Sequence, residues 1–366
     1  MGPLALGPDC PGVRSGALDA RPGRPRAASR PVGHLRTNRA HEDMSSDGAP
    51  VLAACFNRPY VPHVATMLRS YSESVSRPGR WYLVGDGSVD RDLLRQLLDF
   101  ARACGITAEA LRIPDELVAG FERGASARYP RVAWYRAVLA DALPHEDRLL
   151  YLDADMLVLH DLEGLWETQL GDGHLLGAVC HPSYGTARIE CLRLGLPPHA
   201  PLLNSGVMLM DLARMRAESF ASGIRDFVVG AGRPELRYAD QDAMNVVFAG
   251  RWTAVDPAWN CMNVILLPFV SGASWDDDIH HETYVLERAA RSPAIVHFDG
   301  GKVMRPWHRR CFNPFTGLYR QYRSTTPWPL VELEGDRADV VLSRVPPRLQ
   351  AKLWLLKHRR AARAGT

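Results

Sequence analysis

The segment Arg148-Leu-Leu-Tyr-Leu-Asp-Ala-Asp-Met-Leu-Val-Leu159 sets two carboxylates, Asp153 and Asp155, inside an otherwise apolar run. Such a run reads as a buried strand, and burying two like charges close together is costly unless a cation neutralises them. Residues i and i+2 of a strand share a face, and a turn at the strand end can equally converge both carboxylates on one ion. The same spacing recurs at Asp90/Asp92, Asp240/Asp242 and Asp276/Asp278. Asp90 and Asp92 follow the polar Gly85-Asp-Gly-Ser88, and Asp276 to Asp278 form an acidic cluster, so both read as solvated surface. Only Asp153 and Asp155 have apolar strand on each side. On these grounds two readings stay open for them: a site for a hard divalent metal, or a strand-end cap feeding the next helix.

The chain has 366 residues and is 46% hydrophobic, enough for one large core or two smaller ones. Its formal charge of +3 is unevenly placed. Residues 1–43 hold seven arginines against four acids amid Pro, Gly and Ala. That composition cannot bury enough apolar surface to order itself, and it lacks an apolar core of signal-peptide length. We read residues 1–48 as a disordered extension that binds no nucleic acid, with Met44 as an alternative start. The seven cysteines, at 10, 55, 104, 180, 191, 261 and 311, include no C-x-x-C pair and read as free core thiols of a reducing, cytoplasmic compartment. No run reaches the roughly eighteen apolar residues that cross a bilayer. A tail over 326–366 ends differently: from Arg344 to Thr366 seven Lys or Arg and no acid interleave with Leu349, Leu353, Trp354, Leu355 and Leu356. An amphipathic basic helix there either lies on an anionic membrane surface, making the protein peripheral, or packs on the domain with its basic face solvated.

Between these ends, strand-like and helix-like segments alternate as an α/β domain requires. Val51–Cys55, Trp81–Val84, Glu109–Ile113 and Leu149–Leu152 read as strands; Val61–Ser74, Asp90–Cys104 and Val132–Leu143 read as helices. In such a Rossmann-like half a nucleotide sits at the carboxyl ends of the strands, where Asp153 and Asp155 fall. Neither G-x-G-x-x-G after the first strand nor G-x-x-x-x-G-K-[ST] occurs, which removes support for dinucleotide and P-loop chemistry.

Three polar clusters follow in apolar surroundings. Leu202-Leu-Asn-Ser-Gly-Val-Met-Leu-Met-Asp211 puts Asn204 and Ser205 at the head of a strand, with Gly206 permitting close backbone approach. Asp240, Gln241 and Asp242 stand where a helix begins, which ordinary N-capping would explain. His297 ends a buried strand and precedes a Gly-rich turn bearing Lys302 and Arg305. A strand-end histidine is commonly structural, yet with glycines and two cations it also fits a diphosphate pocket completed by an imidazole metal ligand.

The order of these pieces resembles the family 8 glycosyltransferases, retaining enzymes of the α/β GT-A fold with a mixed sheet. The likeness spans roughly residues 50–311: Tyr60, Tyr135-Arg136, Tyr151-Leu-Asp-Ala-Asp155, Leu203-Asn-Ser-Gly-Val207, Asp240-Gln-Asp242, His297-x-x-Gly300 and Pro306-Trp307. Among them it looks most like bacterial galactosyl- and glucosyltransferases of surface glycans. The resemblance implies one GT-A domain over about 49–325. It also implies a UDP-hexose donor, a glycan, lipid or small-molecule hydroxyl as acceptor, and a divalent cation, Mn²⁺ or else Mg²⁺, held by Asp153, Asp155 and His297. Asn57, Tyr60, Arg136, Ala154, Asn204, Ser205 and Gly300 would line the donor. Lys302 or Arg305 would contact the β-phosphate, with Lys302 favoured. Gln241 would lie under the transferred sugar and Asp240 is its rival for a nucleophilic or stabilising role.

Two departures mark this chain. Asn57 stands where the family has an acid three residues before the tyrosine, and where the family has H-x-x-G-x-x-K-P-W this chain has two extra residues after Gly300 and an arginine before Pro306-Trp307. A nucleotidyltransferase would carry a Gly-rich basic loop after the first strand, which Ala53-Ala-Cys-Phe-Asn-Arg-Pro59 lacks. A catalytically idle sugar-nucleotide-binding protein would have lost part of the metal triad. Acceptor contacts are expected from His181–Pro201 and Pro268–Ser292, where Tyr184, Trp275, Tyr284 and Arg288 could stack on or bond to a sugar.

Overall fold

Apolar runs of five or six residues separated by amphipathic stretches fold here into a sheet covered on both faces. A computed structural model describes residues 48–124, 130–182, 187–273, 275 and 280–364. The extension expected to be disordered therefore lies, but for Gly48, outside the described residues, as do Cys10, Tyr184 and the acidic Asp276–Asp278 cluster.

The strands are β1 (Val51–Phe56), β2 (Arg80–Gly85), β3 (Thr107–Ala110), β4 (Arg148–Leu152), β5 (Met156–Val158), β6 (Leu176–Cys180), β7 (Leu203–Asp211), β8 (Trp252–Val255) and β9 (Ile295–His297). Seven of them form one sheet in the order β3-β2-β1-β4-β7-β6-β8, while β5 and β9 form a separate ribbon. β3, β2, β1 and β4 run parallel, but β7 is antiparallel to both β4 and β6. The sheet is thus mixed, and the head of β7 lies beside the carboxyl end of β4.

Side-chain alternation explains the unbroken apolar character of the strands. Leu52, Ala54, Leu83, Leu150, Leu152, Val207 and Leu209 enter one core cluster, whereas Ala53, Cys55, Val84, Leu149, Tyr151, Met208 and Met210 enter the other. Both faces of the central strands are buried, so their positions in these two clusters are apolar, whereas the edge strand β3 is largely exposed and carries Glu109.

The helix Val61–Ser74 has the bounds expected from its sequence, and that expected over 90–104 runs from Arg91 to Ala103. Three expectations are corrected, the first being the strand expected over Glu109–Ile113, which runs from Thr107 to Ala110. Residues expected to form a helix from Val132 to Leu143 are instead a 3₁₀ segment, Arg131–Val138, and one short turn, Leu139–Ala142. Arginine side chains occupy carbonyls there: Arg136 Nε donates to Ala133 O at 3.2 Å, and Arg216 donates to the Ala140 and Leu143 carbonyls at 3.2 and 3.1 Å. Of the thiols read as core, Cys55, Cys180, Cys191 and Cys261 are buried, but Cys104 and Cys311 are only half-buried.

The C-terminal helix Pro347–Ala364 packs Ala351 and Leu355 against Leu267, Met304 and Phe312. Leu349, Leu353 and Leu356 remain on its exposed side. Among the described residues no helix is long and apolar enough to cross a membrane.

Candidate functional site

Three strand pairings assemble the polar residues. β4 ends opposite β7, with Leu152 facing Val207, and the next amide, Asp153 N–H, donates to Gly206 O at 2.8 Å. This sets Asp153 against Asn204 and Ser205. In the small ribbon Met156 faces His297, and Phe298 N–H donates to Asp155 O at 3.0 Å, which brings the imidazole to the second carboxylate. Cys261, which bridges Val296, delivers the neighbouring Asn260 to the other side of the His297 ring.

Asp153, Asp155 and His297 each offer one ligand atom within 4.8 Å of the others. His297 Nε2 lies 3.5 Å from Asp155 Oδ1 and 3.8 Å from Asp153 Oδ2. Burial alone would raise the Asp155 carboxyl, but the hydrogen bond and charge of His297, helped by Arg305, hold it below its ordinary value. The converse acts on His297: burial disfavours its charge, yet Asp155, then Asp299 and Asp153, push it up to about 9. A proton on the ring supplies these carboxylates with one cation from within the protein. The oxygen-rich donor set with one imidazole suits a hard divalent cation such as Mn²⁺ or Mg²⁺, and the three residues could hold one.

Around this triad lies a second buried charge cluster. Arg136 Nη2 reaches Asp153 Oδ1 at 2.8 Å, its Nε stands 3.2 Å from Asp240 Oδ2, and its Nη1 donates to Ser205 O at 3.0 Å. The guanidinium also lies over the Tyr151 ring, whose hydroxyl donates to Asp153 Oδ1 at 2.8 Å. Asp240 Oδ2 nevertheless has no aligned donor, because Arg136 Nε aims at Ala133 O. Burial is the largest influence on Asp240 and raises it to about 6 against the pull of Arg136. The residue before it, Ala239, is held at φ 46° and ψ −114°, a backbone conformation that costs a non-glycine residue about 1–3 kcal/mol. Strain of that size persists only where surrounding contacts enforce it, and here it aims the start of the helix Asp240–Val247 at the site.

N-capping does not explain these acids. Asp240 is the first helical residue, Ala239 makes no side-chain cap, and Asp242 turns away to accept from Arg237 N and Tyr238 N and to pair with Arg193. Gln241 Oε1 accepts from Asn204 Nδ2 at 3.0 Å and Ser205 N at 3.3 Å, leaving Gln241 Nε2 without a protein partner among the described residues. Ala154 is buried between the two aspartates. Asn57 Oδ1 is buried with no hydrogen-bond partner. Tyr60 feels the charges of Asp155 and Arg305, and burial foremost raises its hydroxyl out of the titratable range. Gly300 takes φ +94°, a turn open to glycine. Lys302 is exposed on that turn, whereas Arg305 is half-buried over Trp307 and acts on both Asp155 and Tyr60.

Two further residues belong here that no motif announced. Asn260, fully buried, accepts at Oδ1 from His297 Nδ1 at 2.9 Å and donates from Nδ2 to Asn204 Oδ1 at 2.7 Å. His63 stacks on Trp307 at 3.7 Å, and its Nδ1 accepts from the Tyr319 hydroxyl at 2.5 Å and from Arg323 at 3.3 Å. Burial, with Arg323, lowers His63 to about 3, so it stays neutral. Of the acceptor candidates, Trp275 is buried, Tyr284 is exposed, and Arg288 is tied to Asp256.

A family model described as Glycosyl transferase family 8 matches residues 51–311. The chain belongs to that family. Its class of activity is accordingly glycosyl transfer. General stress protein A of Bacillus subtilis (strain 168) is 25% identical over 292 residues, covering 78% of this chain and 96% of that protein. The lipopolysaccharide 1,2-glucosyltransferase of Escherichia coli (strain K12) is 26% identical over 183 residues, covering 50% of each. The chain spans 51% of another relative, glycosyltransferase GlyF of Streptococcus pneumoniae. Among solved structures, the galactosyltransferase LgtC in complex with donor and acceptor sugar analogs superposes with a TM-score of 0.61 at 20% identity, over 76% of this chain and 96% of that one. At that identity the likeness is one of fold, and the fold is the mixed α/β GT-A architecture that the sequence motifs imply.

Proposed function

We propose that this family 8 transferase is a retaining hexosyltransferase that moves galactose or glucose from a UDP-sugar to a hydroxyl of a glycan or other acceptor, with Mn²⁺ or Mg²⁺ bound by Asp153, Asp155 and His297. The observation that carries the reading is the convergence of those three ligand atoms within 4.8 Å, beside an oriented but open Gln241 amide. The sugars are proposed from the named relatives, a galactosyltransferase and a glucosyltransferase. The buried, unpartnered Asn57 Oδ1 at the end of β1 is an acceptor available to the N–H edge of a base.

The chemical problem is to break the bond between the anomeric carbon and a diphosphate oxygen, with the electron pair leaving on the phosphate. A divalent cation, when bound, offsets that developing charge. We assign Arg305 to the β-phosphate ahead of Lys302, because it is half-buried and its charge reaches Asp155 and Tyr60. Gln241 has its carbonyl oxygen engaged by Asn204 and Ser205, so it serves the sugar as a donor through Nε2 and not as a nucleophile. Asp240 is held by Arg136 and places negative charge near an oxocarbenium-like sugar. Attack then occurs on the face the phosphate leaves. The acceptor oxygen bonds to the anomeric carbon, its proton passes to the departing diphosphate, and configuration is retained.

The test is cation-dependent release of UDP from a panel of UDP-sugars, comparing the wild type with Asp155→Asn. Slow hydrolysis of one donor, lost in the variant, is expected. Absence of Mn²⁺-dependent binding of both UDP and GDP would overturn the reading.

We also propose that the transferase works at the cytoplasmic face of an anionic membrane, with Leu349, Leu353 and Leu356 exposed beside Arg348 and Lys352 on the C-terminal helix. Flotation with anionic vesicles should be lost in Leu349→Ser/Leu353→Ser; equal flotation of variant and wild type removes the helix from the proposal.

A further inference from the structure

The amide groups around His297 can be assigned without choice, because two donors in the network are peptide N–H groups, which only donate. Gly206 N–H points to Asn204 at 3.0 Å, so that atom of Asn204 is its oxygen. Ser205 N–H points to Gln241 at 3.3 Å, so that atom of Gln241 is its oxygen. Asn204 Nδ2 therefore donates to Gln241 Oε1. Because Asn204 Oδ1 is an acceptor, Asn260 must turn its Nδ2 toward it, at 2.7 Å. Asn260 Oδ1 is then left facing His297 Nδ1 at 2.9 Å, and an oxygen there requires the ring to carry hydrogen on Nδ1. The Nε2 atom, facing Asp153 and Asp155, is thereby the one whose lone pair is available to a cation.

We propose that Asn260 is a positioning residue that joins the two halves of the site: it fixes the tautomer of His297 for the cation and, through Asn204, the orientation of Gln241 under the sugar. The inference rests on the cation-dependent transferase reading given above. Its physical basis is burial. Asn260 is 0% exposed, His297 4% and Asn204 7%, so no water competes for these bonds and each member has one arrangement that satisfies it. The two ends of the amide chain come from β9 and the helix Asp240–Val247, and Asn260, at the end of the turn Pro257–Asn260, joins them through Asn204 of β7. Outer partners that set a ligand's tautomer typically hold about 10–100-fold in metal affinity.

Two substitutions separate the halves. Asn260→Leu removes both bonds at similar volume. Asn260→Asp keeps an acceptor for His297 Nδ1–H but sets a carboxylate oxygen against Asn204 Oδ1. Mn²⁺ affinity in the presence of UDP, read by electron paramagnetic resonance, should fall about 10–100-fold in Asn260→Leu and stay within about threefold of wild type in Asn260→Asp. Turnover should fall at least about tenfold in both, appearing in kcat for Asn260→Asp. In parallel, nitrogen NMR of the histidine ring in the wild-type Mg²⁺·UDP complex should show His297 with hydrogen on Nδ1. That measurement stands even where a variant fails to fold. A His297 ring carrying hydrogen on Nε2, a folded Asn260→Leu protein binding Mn²⁺ within twofold of wild type, or an Asn260→Asp protein with wild-type kcat each overturns the inference. If the wild type itself shows no cation-dependent UDP binding, the transferase reading falls first and takes the inference with it.

Discussion

Replacing Gly206 by alanine is the sharpest probe of the site, because this glycine is required for space and not for backbone freedom. Its φ lies outside the left-handed region, so the β7 backbone tolerates alanine. The added Cβ, however, would lie 2.4 Å from His297 Cε1, 2.8 Å from His297 Nδ1 and 2.9 Å from Asn204 Oδ1, where ordinary contact begins near 3.4 Å. The ring must retreat by about 1 Å, and it is buried and tied at Nδ1 to Asn260. Metal–ligand distances tolerate only about 0.2 Å, so the loss of cation affinity should reach about 10–100-fold. Overpacking a buried strand should also cost about 1–3 kcal/mol of stability. The two effects are read separately: Mn²⁺·UDP affinity by electron paramagnetic resonance on folded protein, and stability by urea unfolding. Gly87→Ala is the control, since nothing lies within 4 Å of its Cβ and its φ is ordinary. A Gly206→Ala protein that binds Mn²⁺·UDP like the wild type and hydrolyses donor at the wild-type rate would refute the placement of His297 beside β7.

Other outcomes follow from the same geometry. Asp240 keeps a proton up to about pH 6 in the folded chain, whereas the unfolded chain loses it near 3.8. Its contribution to stability therefore falls as pH rises through that window, and Asp240→Asn should flatten this part of a melting-temperature profile. If ionised Asp240 supports turnover, the acid limb of kcat/KM with a midpoint near 6 should vanish in the same variant. Arg136→Met leaves Asp153 and Asp240 without their shared cation and should cost about 3–5 kcal/mol in urea unfolding. Arg136→Lys should recover only part of that loss, since one ammonium cannot span both carboxylates and Ser205 O. Arg305→Met should lower kcat/KM for the donor about 10–100-fold, the span expected for a hydrogen bond to a charged group, while Lys302→Met changes it little. Leu355→Ala, at a 6% exposed contact with the domain, should cost about 2–3 kcal/mol, and Leu353→Ala, 56% exposed, less than about 0.5.

What the sequence discloses and what it hides divide along a physical line. Strands and helices that bury a periodic apolar face are legible, so the helix Val61–Ser74 and the strand entering Asp153 are found within a residue. Charged residues inside apolar runs are equally legible, because burial without a partner is costly; that is why Asp153 and Asp155 stand out. An uncharged polar residue in a turn carries no such signal. Asn260 sits in a Pro-Ala-Trp-Asn turn that could cap or solvate anything, and its role appears only when β9 pairs with β5 and brings His297 to it. The reversal of β7 is similarly silent: a strand buried on both faces is apolar throughout whether its neighbours run parallel or not. The 3₁₀ segment Arg131–Val138 and the short turn after it escape notice for a different reason, since the arginines that take carbonyls there come from the segment itself and from residue 216.

The charges of the site bear on how the proposed cation and donor would act on one another. Above about pH 6 three buried or half-buried carboxylates, Asp153, Asp155 and Asp240, have at ion-pair distance among the described residues one permanent cation, Arg136, and one that exists only while His297 is protonated. The protein thus closes its own site one positive charge short. Asp153, Asp155 and His297 with its Nε2 unprotonated would hold a divalent cation whose charge would bring the group to neutrality. The proposed diphosphate would then reintroduce negative charge on the side where Arg305 and the exposed Lys302 stand. Cation and nucleotide therefore each lower the electrostatic cost of the other, and their binding should be mutually dependent: UDP affinity measured with and without Mn²⁺ should differ by the same factor as Mn²⁺ affinity measured with and without UDP. Independent binding of the two would mean that the carboxylate pair is neutralised by some other means than a shared cation.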